Sequence, residues 1–210
     1  MELRRVVQPA YEPVSVDEAK LHCRIDGTDE DVYVASLIRS AREQVEDTLR
    51  RTLMQTTWEL QLDTWPARVS SLPNAPLLSV TSMIYVDDEA ADTTLSASDY
   101  VVNTGATPGR IVLKRTASWP GTTLRETGAI RIRYVAGYRT LDATLTGAPL
   151  TAEIAAARAA VPARAKQAVL LIVGHLYENR EQVTMSAGTS PSVLPMGVDA
   201  LLMPFRVIEF

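Results

Sequence analysis

The sequence predicts an α+β fold, with helices in its first and last thirds and an antiparallel, β-rich middle. Three observations carry this. Apolar residues recur at three- and four-residue steps before residue 54, switch to a period of two from Gln55, and return to helical spacing in alanine-rich text after Gly137. The middle third is cut by turn formers, Leu72-Pro73-Asn74-Ala75-Pro76, Pro108-Gly109 and Trp119-Pro120-Gly121, into segments of strand length. Several short strands joined by tight turns belong to an antiparallel sheet or small sandwich.

Pro9 to Pro13 reads as an extended lead-in. Ser15-Val16-Asp17-Glu18 then forms a capping box, in which the Ser15 hydroxyl accepts from the Glu18 N–H and the Glu18 carboxylate reaches back. The helix it opens runs to about Arg24 and stops at Asp26-Gly27, with Val16, Ala19 and Cys23 at helical spacing. Thr28 or Asp29 caps a longer helix to about Leu53. Val34, Leu37, Ile38, Ala41, Val45, Leu49 and Leu53 make one apolar face, and charged residues occupy most of the remainder. Strand expectations follow: Trp58, Leu60 and Leu62 alternate with Thr57, Glu59 and Gln61; Val80 to Val86 ends in the acidic turn Asp87-Asp88-Glu89; then come Tyr100 to Val102, Arg110 to Leu113 and Ala129 to Val135. Thr151 to Ala160 is a short helix. Pro162 sits where a first-turn proline belongs, and Ala163 to Asn179 is apolar over more than half its circumference, so it is expected to be the most buried helix. Met185 to Pro195 has the composition of a loop. A last short helix, Val198 to Met203, leads to an apolar end.

Composition narrows the function classes. With 210 residues, 46% of them hydrophobic, the chain can bury a core without staples. A net charge of −4 argues against coating nucleic acid by bulk electrostatics. One cysteine and two histidines exclude an intramolecular disulfide and a Cys/His zinc module. No apolar run approaches membrane-spanning length, and Met1 to Arg5 is not followed by the apolar block of a signal peptide.

No catalytic pattern is present: there is no phosphate-binding loop, dinucleotide fingerprint, His-Glu-x-x-His or Gly-x-Ser-x-Gly. His22 and Cys23, adjacent on a helix, point about 100° apart. His175 with Glu178 supplies two metal ligands at most, and a packed or capping histidine explains it as well. The acids Asp87, Asp88, Glu89 and Asp92 lack the spacing of a calcium loop and read as a solvated hairpin tip. No cofactor or metal is expected. Two surfaces stand out instead. The charged side of the long helix carries Arg42, Glu43, Glu46, Asp47, Arg50 and Arg51, which pair as i,i+4 neighbours in solvent or across a subunit contact. Arg131 and Arg133 project from one strand face in a stretch whose only acid is Glu126, as a solvated face or as a basic surface for an anionic partner.

Three segments together resemble a known family: Pro13-Val14-Ser15-Val16-Asp17-Glu18-Ala19-Lys20 with Asp29-Glu30-Asp31; Leu77-Leu78-Ser79-Val80-Thr81-Ser82 leading to Tyr85-Val86-Asp87; and Ala168 through Glu181, ending Tyr177-Glu178-Asn179-Arg180-Glu181. Their order is similar to that in the head–tail connector, or adaptor, proteins of long-tailed double-stranded DNA bacteriophages, related prophages and gene transfer agents. The resemblance implies N- and C-terminal helices in a bundle with a β-rich insertion, divided as residues 1–54, 55–140, 141–184 completing the bundle, and 185–210 as loop and docking segment. It implies a non-enzymatic virion protein, made in the host cytoplasm and placed in the neck. There it would form a ring, usually of twelve, that extends the DNA channel below the portal protein, meets a tail-side connector or stopper protein, and lets double-stranded DNA pass without tight binding. Residues 141–161 fit the pattern least. The apolar end, with Phe205, Val207, Ile208 and Phe210, either folds back on its own bundle or docks on a neighbour or the portal. Another neck, tail or capsid accessory protein, or an enzyme with an unrecognised site, are the alternative readings.

Overall fold

A computed structural model describes residues 1–142, 144–180 and 196–207, and its chain divides into two compact units, residues 1–10 with 54–140 and residues 11–53 with 141–210. The expected α+β class is what the structure shows, with helices gathered in one unit and antiparallel strands in the other.

The β unit holds eight strands: β1 (Glu2–Val7), β2 (Thr56–Leu62), β3 (Val69–Ser71), β4 (Leu77–Val86), β5 (Asp92–Thr94), β6 (Tyr100–Asn103), β7 (Arg110–Leu113) and β8 (Ile130–Ala136). Five form one antiparallel sheet in the order β1-β2-β8-β4-β5, and three form another in the order β3-β7-β6. Alternation decides the packing of each. In the larger sheet Leu3, Leu60, Ile132 and Met83 lie in one cross-strand row, with Trp58, Tyr134 and Val80 in the next. From the smaller sheet, Tyr100, Ile111 and Leu113 turn inward, and Ile111 joins Leu60, Met83, Ile132 and Tyr134 in a single core cluster. Trp65 stacks on Trp119 at 4.9 Å beside this core. Gly109 is there because β4 passes close: a Cβ at that position would stand 2.3 Å from the Leu77 Cβ.

Three strands were not expected from the sequence. β1 lies in residues 1–54, the stretch expected to be helical, and pairs with β2 because its Leu3 continues the apolar row while Arg4 meets Glu59. β3 and β5 have three residues each, too short for alternation to show.

The helical unit contains α1 (Val16–Cys23), α2 (Asp31–Leu49), α3 (Gly147–Ala160), α4 (Ala163–Glu178) and α5 (Met196–Leu202), the last followed by a 3₁₀ turn at Met203–Phe205. The Ser15–Glu18 capping box forms as expected, with bonds of 3.0 and 2.8 Å. α2 starts later than expected, with Glu30 at its N-cap and no side-chain cap, and it ends at Leu49, where Arg50 takes the left-handed conformation at φ 53°. α2 packs on α1, α4 and α5, and α1 on α4. The expectation that the α4 helix is the most buried is corrected: α2 and α4 each contact three helices, but the longer α2 buries eight residues against five for α4. The stretch Met185 to Pro195 lies outside the described residues.

Candidate interaction surfaces

Helix α2 has two charged sides of different character. Val32, Ser36, Arg39, Ser40 and Asp47 are exposed and fall at steps of three and four, with half-exposed Glu43 among them, so they form one solvent-facing stripe of mixed sign. On the other side the apolar stripe includes ions. Arg42 is 1% exposed, and its guanidinium donates to Glu12 at 2.7 Å, to Glu46 at 2.5 Å and to Glu43 at 3.3 Å. Glu46, 3% exposed, also accepts from the Leu53 N–H at 2.8 Å, fastening the chain beyond the helix end. A buried arginine bonded to three carboxylates satisfies the rule that interior charges must be paired.

This corrects part of the expected subunit-contact set. Arg42 and Glu46 are interior groups of the helical unit, and the Arg51 Nε donates to the Phe205 carbonyl at 2.7 Å. Glu43, Asp47 and Arg50 stay accessible, and the structure adds Arg39, which is 70% exposed. A signal for Arg42 was present in the sequence: it follows Ile38 by four residues and precedes Val45 by three, which sets it at the edge of the apolar stripe.

The conspicuous N- and C-terminal motifs meet in this unit. Lys20 donates to Asp31 at 2.6 Å, and Lys166 to Glu18 at 3.1 Å. Arg180 lies over the neighbouring rings of Tyr33 and Tyr177, 4.9 and 4.8 Å from their centroids, and bonds to Glu30, which also accepts from the Tyr177 hydroxyl. Those two hydrogen bonds, Tyr177 first, hold the Glu30 carboxyl below its ordinary pKa, and the same bond to Glu30 raises the Tyr177 phenol. The motif residues therefore tie α1, α2 and the end of α4 together.

On the polar face of the five-stranded sheet, Arg4, Glu59 and Arg133 are cross-strand neighbours. Glu59 accepts from Arg4 at 2.8 Å, from Arg133 at 2.7 Å and from Gln61 at 3.0 Å. Burial pushes its pKa up, yet the bonds from Arg133 and Gln61 and the charges of Arg4 and Arg133 outweigh it and hold the carboxyl below 4.5. Arg131 is ion-paired with Asp92. Arg131 and Arg133, expected as a basic partner surface, are thus each paired with an acid of their own unit, Glu59 being shared between Arg133 and Arg4. The sequence did not show these partners because Glu59 and Asp92 are 74 and 39 residues away along the chain.

Of the expected docking residues at the C-terminal end, Val207 is buried, 6% exposed, and its N–H donates to the Leu49 carbonyl at 3.0 Å. The Phe205 ring lies 5.7 Å beneath the Arg164 guanidinium. Both residues are engaged within the helical unit, which favours the fold-back reading for them. Ile208 and Phe210 lie outside the described residues.

Chemistry is sparse. Among the described residues no group of three His, Cys, Asp or Glu is placed to hold a metal ion, and no helix is long and apolar enough to cross a membrane. His175 is capped by Asn179, whose amide donates to its carbonyl at 2.9 Å. Burial, then the charge of Glu178, push the Cys23 thiol up, away from the reactive thiolate. An open depression of about 380 Å³ lined by Gln61, Asp63, Arg125, Thr127 and Gly128 holds no histidine, cysteine or serine.

Residues 13–103 match the family model of the phage gp6-like head–tail connector proteins, the family that the sequence motifs resemble. That family is structural and not enzymatic. No curated protein matches. Among solved structures, the chain is similar to one in the neck of an empty gene transfer agent particle computed with C6 symmetry, at 23% identity and a TM-score of 0.74. A second is from the virion of the native gene transfer agent particle, at 24% identity and 0.72, and a third from the native neck computed with C12 symmetry, at 22% and 0.64. Each likeness covers 100% of this chain and 97% of the other. At these identities they establish the fold.

Proposed function

We propose that this chain is a head–tail connector that assembles as a closed, head-to-tail ring in the neck of a tailed particle, between the portal and the tail-side proteins, and that it works by assembly and channel extension with no bond made or broken. The match of residues 13–103 to the connector family carries this reading, since that stretch includes α1, α2 and the acidic partners of their locking residues. The likeness to neck proteins solved with C6 and C12 symmetry supports a ring, and twelve copies are the number the family resemblance implies. Twelve copies at −4 carry about −48, which suits passage of DNA past the protein better than a grip on it.

The exposed stripe of α2 is the subunit contact we favour. A heterologous interface joins two different surfaces of each copy, and a stripe of mixed sign gives it electrostatic register. Exposed pairs contribute only about 0–1 kcal/mol each, but they recur at every interface of a ring. Arg39→Glu and Asp47→Lys, made separately, are expected to reduce ring formation in electron micrographs and portal capture by the purified full chain, with far-ultraviolet circular dichroism unchanged. Normal rings from both variants refute the α2 assignment, and rings that ignore the portal favour an accessory neck or tail protein.

A further inference from the structure

The three-stranded sheet leaves its outer face open. Val69, Val112 and Val101 are directly paired across β3, β7 and β6, so they form one aliphatic row. Their neighbours Ile111 and Leu113 point into the core, whereas Val69 and Val101 are 52% and 49% exposed. β-branched residues aligned in this way stabilise strand pairing, but polar side chains such as threonine would serve a wet face equally well, and an aligned apolar row on an outer face marks a contact surface.

Its rim is basic and uncommitted. Arg110 is on the same face in the adjacent row, between Ser71 and Asn103, and Lys114 follows Val112 at the two-residue step, with Arg115 after it. All three are exposed, and among the described residues none makes an ion pair, in contrast to Arg131 and Arg133. The same chain carries the complementary pattern. The β4–β5 turn presents exposed Ala90 and Ala91 next to the exposed acids Asp88 and Glu89, and it is held in shape by the Asp87 carboxylate accepting from the Ala91 N–H at 2.8 Å. Small apolar residues with an acidic border match an apolar row with a basic border in both polarity and charge.

We propose that the valine face of β3-β7-β6 receives the acidic β4–β5 turn of a second copy of this chain, as a second point of contact between neighbours. The inference rests on the ring reading, in which each copy offers the valine face to one neighbour and the acidic turn to the other.

Cysteine cross-linking of the full chain tests it. In a Cys23→Ser background, Ala91→Cys with Val101→Cys is expected to give a ladder of disulfide-linked species on mild oxidation, whereas either cysteine alone gives no ladder. Adding Arg110→Glu and Lys114→Glu is expected to lower the ladder about tenfold or more, and further adding Asp88→Lys and Glu89→Lys to restore it. No ladder from the double-cysteine chain overturns the proposal; if rings still form, the α2 contact stands without it. Dimers from Val101→Cys alone also overturn it, by showing that the valine face meets its own copy in another molecule. A ladder indifferent to the charge reversals overturns the assignment of the acidic turn as occupant.

Discussion

Replacing Glu46 with alanine removes two things at once. Arg42, 1% exposed, loses the nearest of its three carboxylates, and the Leu53 N–H loses the acceptor at 2.8 Å that ends the α2 segment. Breaking a buried ion pair on one side costs about 3–5 kcal/mol. Glu12 and Glu43 still face Arg42 at 2.7 and 3.3 Å, which holds this part near the lower end. The orphaned amide adds about 1–3 kcal/mol. The expected loss is about 4 kcal/mol, a large share of the 5–15 kcal/mol typical of a whole protein. Urea unfolding followed by circular dichroism at 222 nm reads it, since the signal comes mainly from helix. All three tryptophans, Trp58, Trp65 and Trp119, belong to the β unit, so fluorescence gives a separate probe of that unit. Glu46→Gln keeps an acceptor for Leu53 and is expected to lose about half as much. Arg42→Met combined with Glu46→Leu removes both deeply buried charges and leaves the partly exposed Glu12 and Glu43 to water, so it is expected to be less damaging than Glu46→Ala alone. A loss below about 1 kcal/mol for Glu46→Ala, or a worse double variant, would refute the argument that the unit depends on a desolvated, fully paired arginine.

Glu59 ties the stability of the β unit to pH. Its folded pKa lies below 4.5, so its contribution is complete above that value and is lost as the pH falls through it toward the folded value. Thermal melts followed by tryptophan fluorescence are expected to fall as the pH is lowered below the ordinary Glu value, with a shallower slope in Glu59→Gln; equal slopes would contradict the network. Deleting Pro204 to Phe210 removes the burial of Val207 and the bonds to Leu49 and Arg51, expected at about 3 kcal/mol in denaturant midpoints. An unchanged midpoint with lost portal capture would instead identify a docking arm. Gly109→Ala drives a methyl group to within 2.3 Å of the Leu77 Cβ, and an overpacking loss of about 2–3 kcal/mol is expected from the fluorescence transition.

What the residues encode at short range is legible in the sequence itself. The Ser15–Glu18 box, the helical period of α2, the run from Ala163 to Glu178 and the five expected turn-bounded strands depend on residues one to four apart, or on alternation within a strand. The connector resemblance is legible for a related reason. Its motif positions Lys20, Glu30, Asp31, Tyr177 and Arg180 keep α1, α2 and α4 together, so they carry the fold's signature in fixed local contexts.

Which charges remain available for partners is decided only by the tertiary structure. Arg42 reads as solvated until Glu12, 30 residues away, closes over it, and Arg133 reads as free until β8 is laid beside β2 and Glu59. The valine row is three residues drawn from three separate strands, two of them joined through a third. Side-chain spacing along one chain fixes which face of its own element a residue occupies. Whether that face meets water, an opposite charge or another apolar row depends on pairings between segments tens of residues apart, and those exist only once the sheets and the bundle have closed.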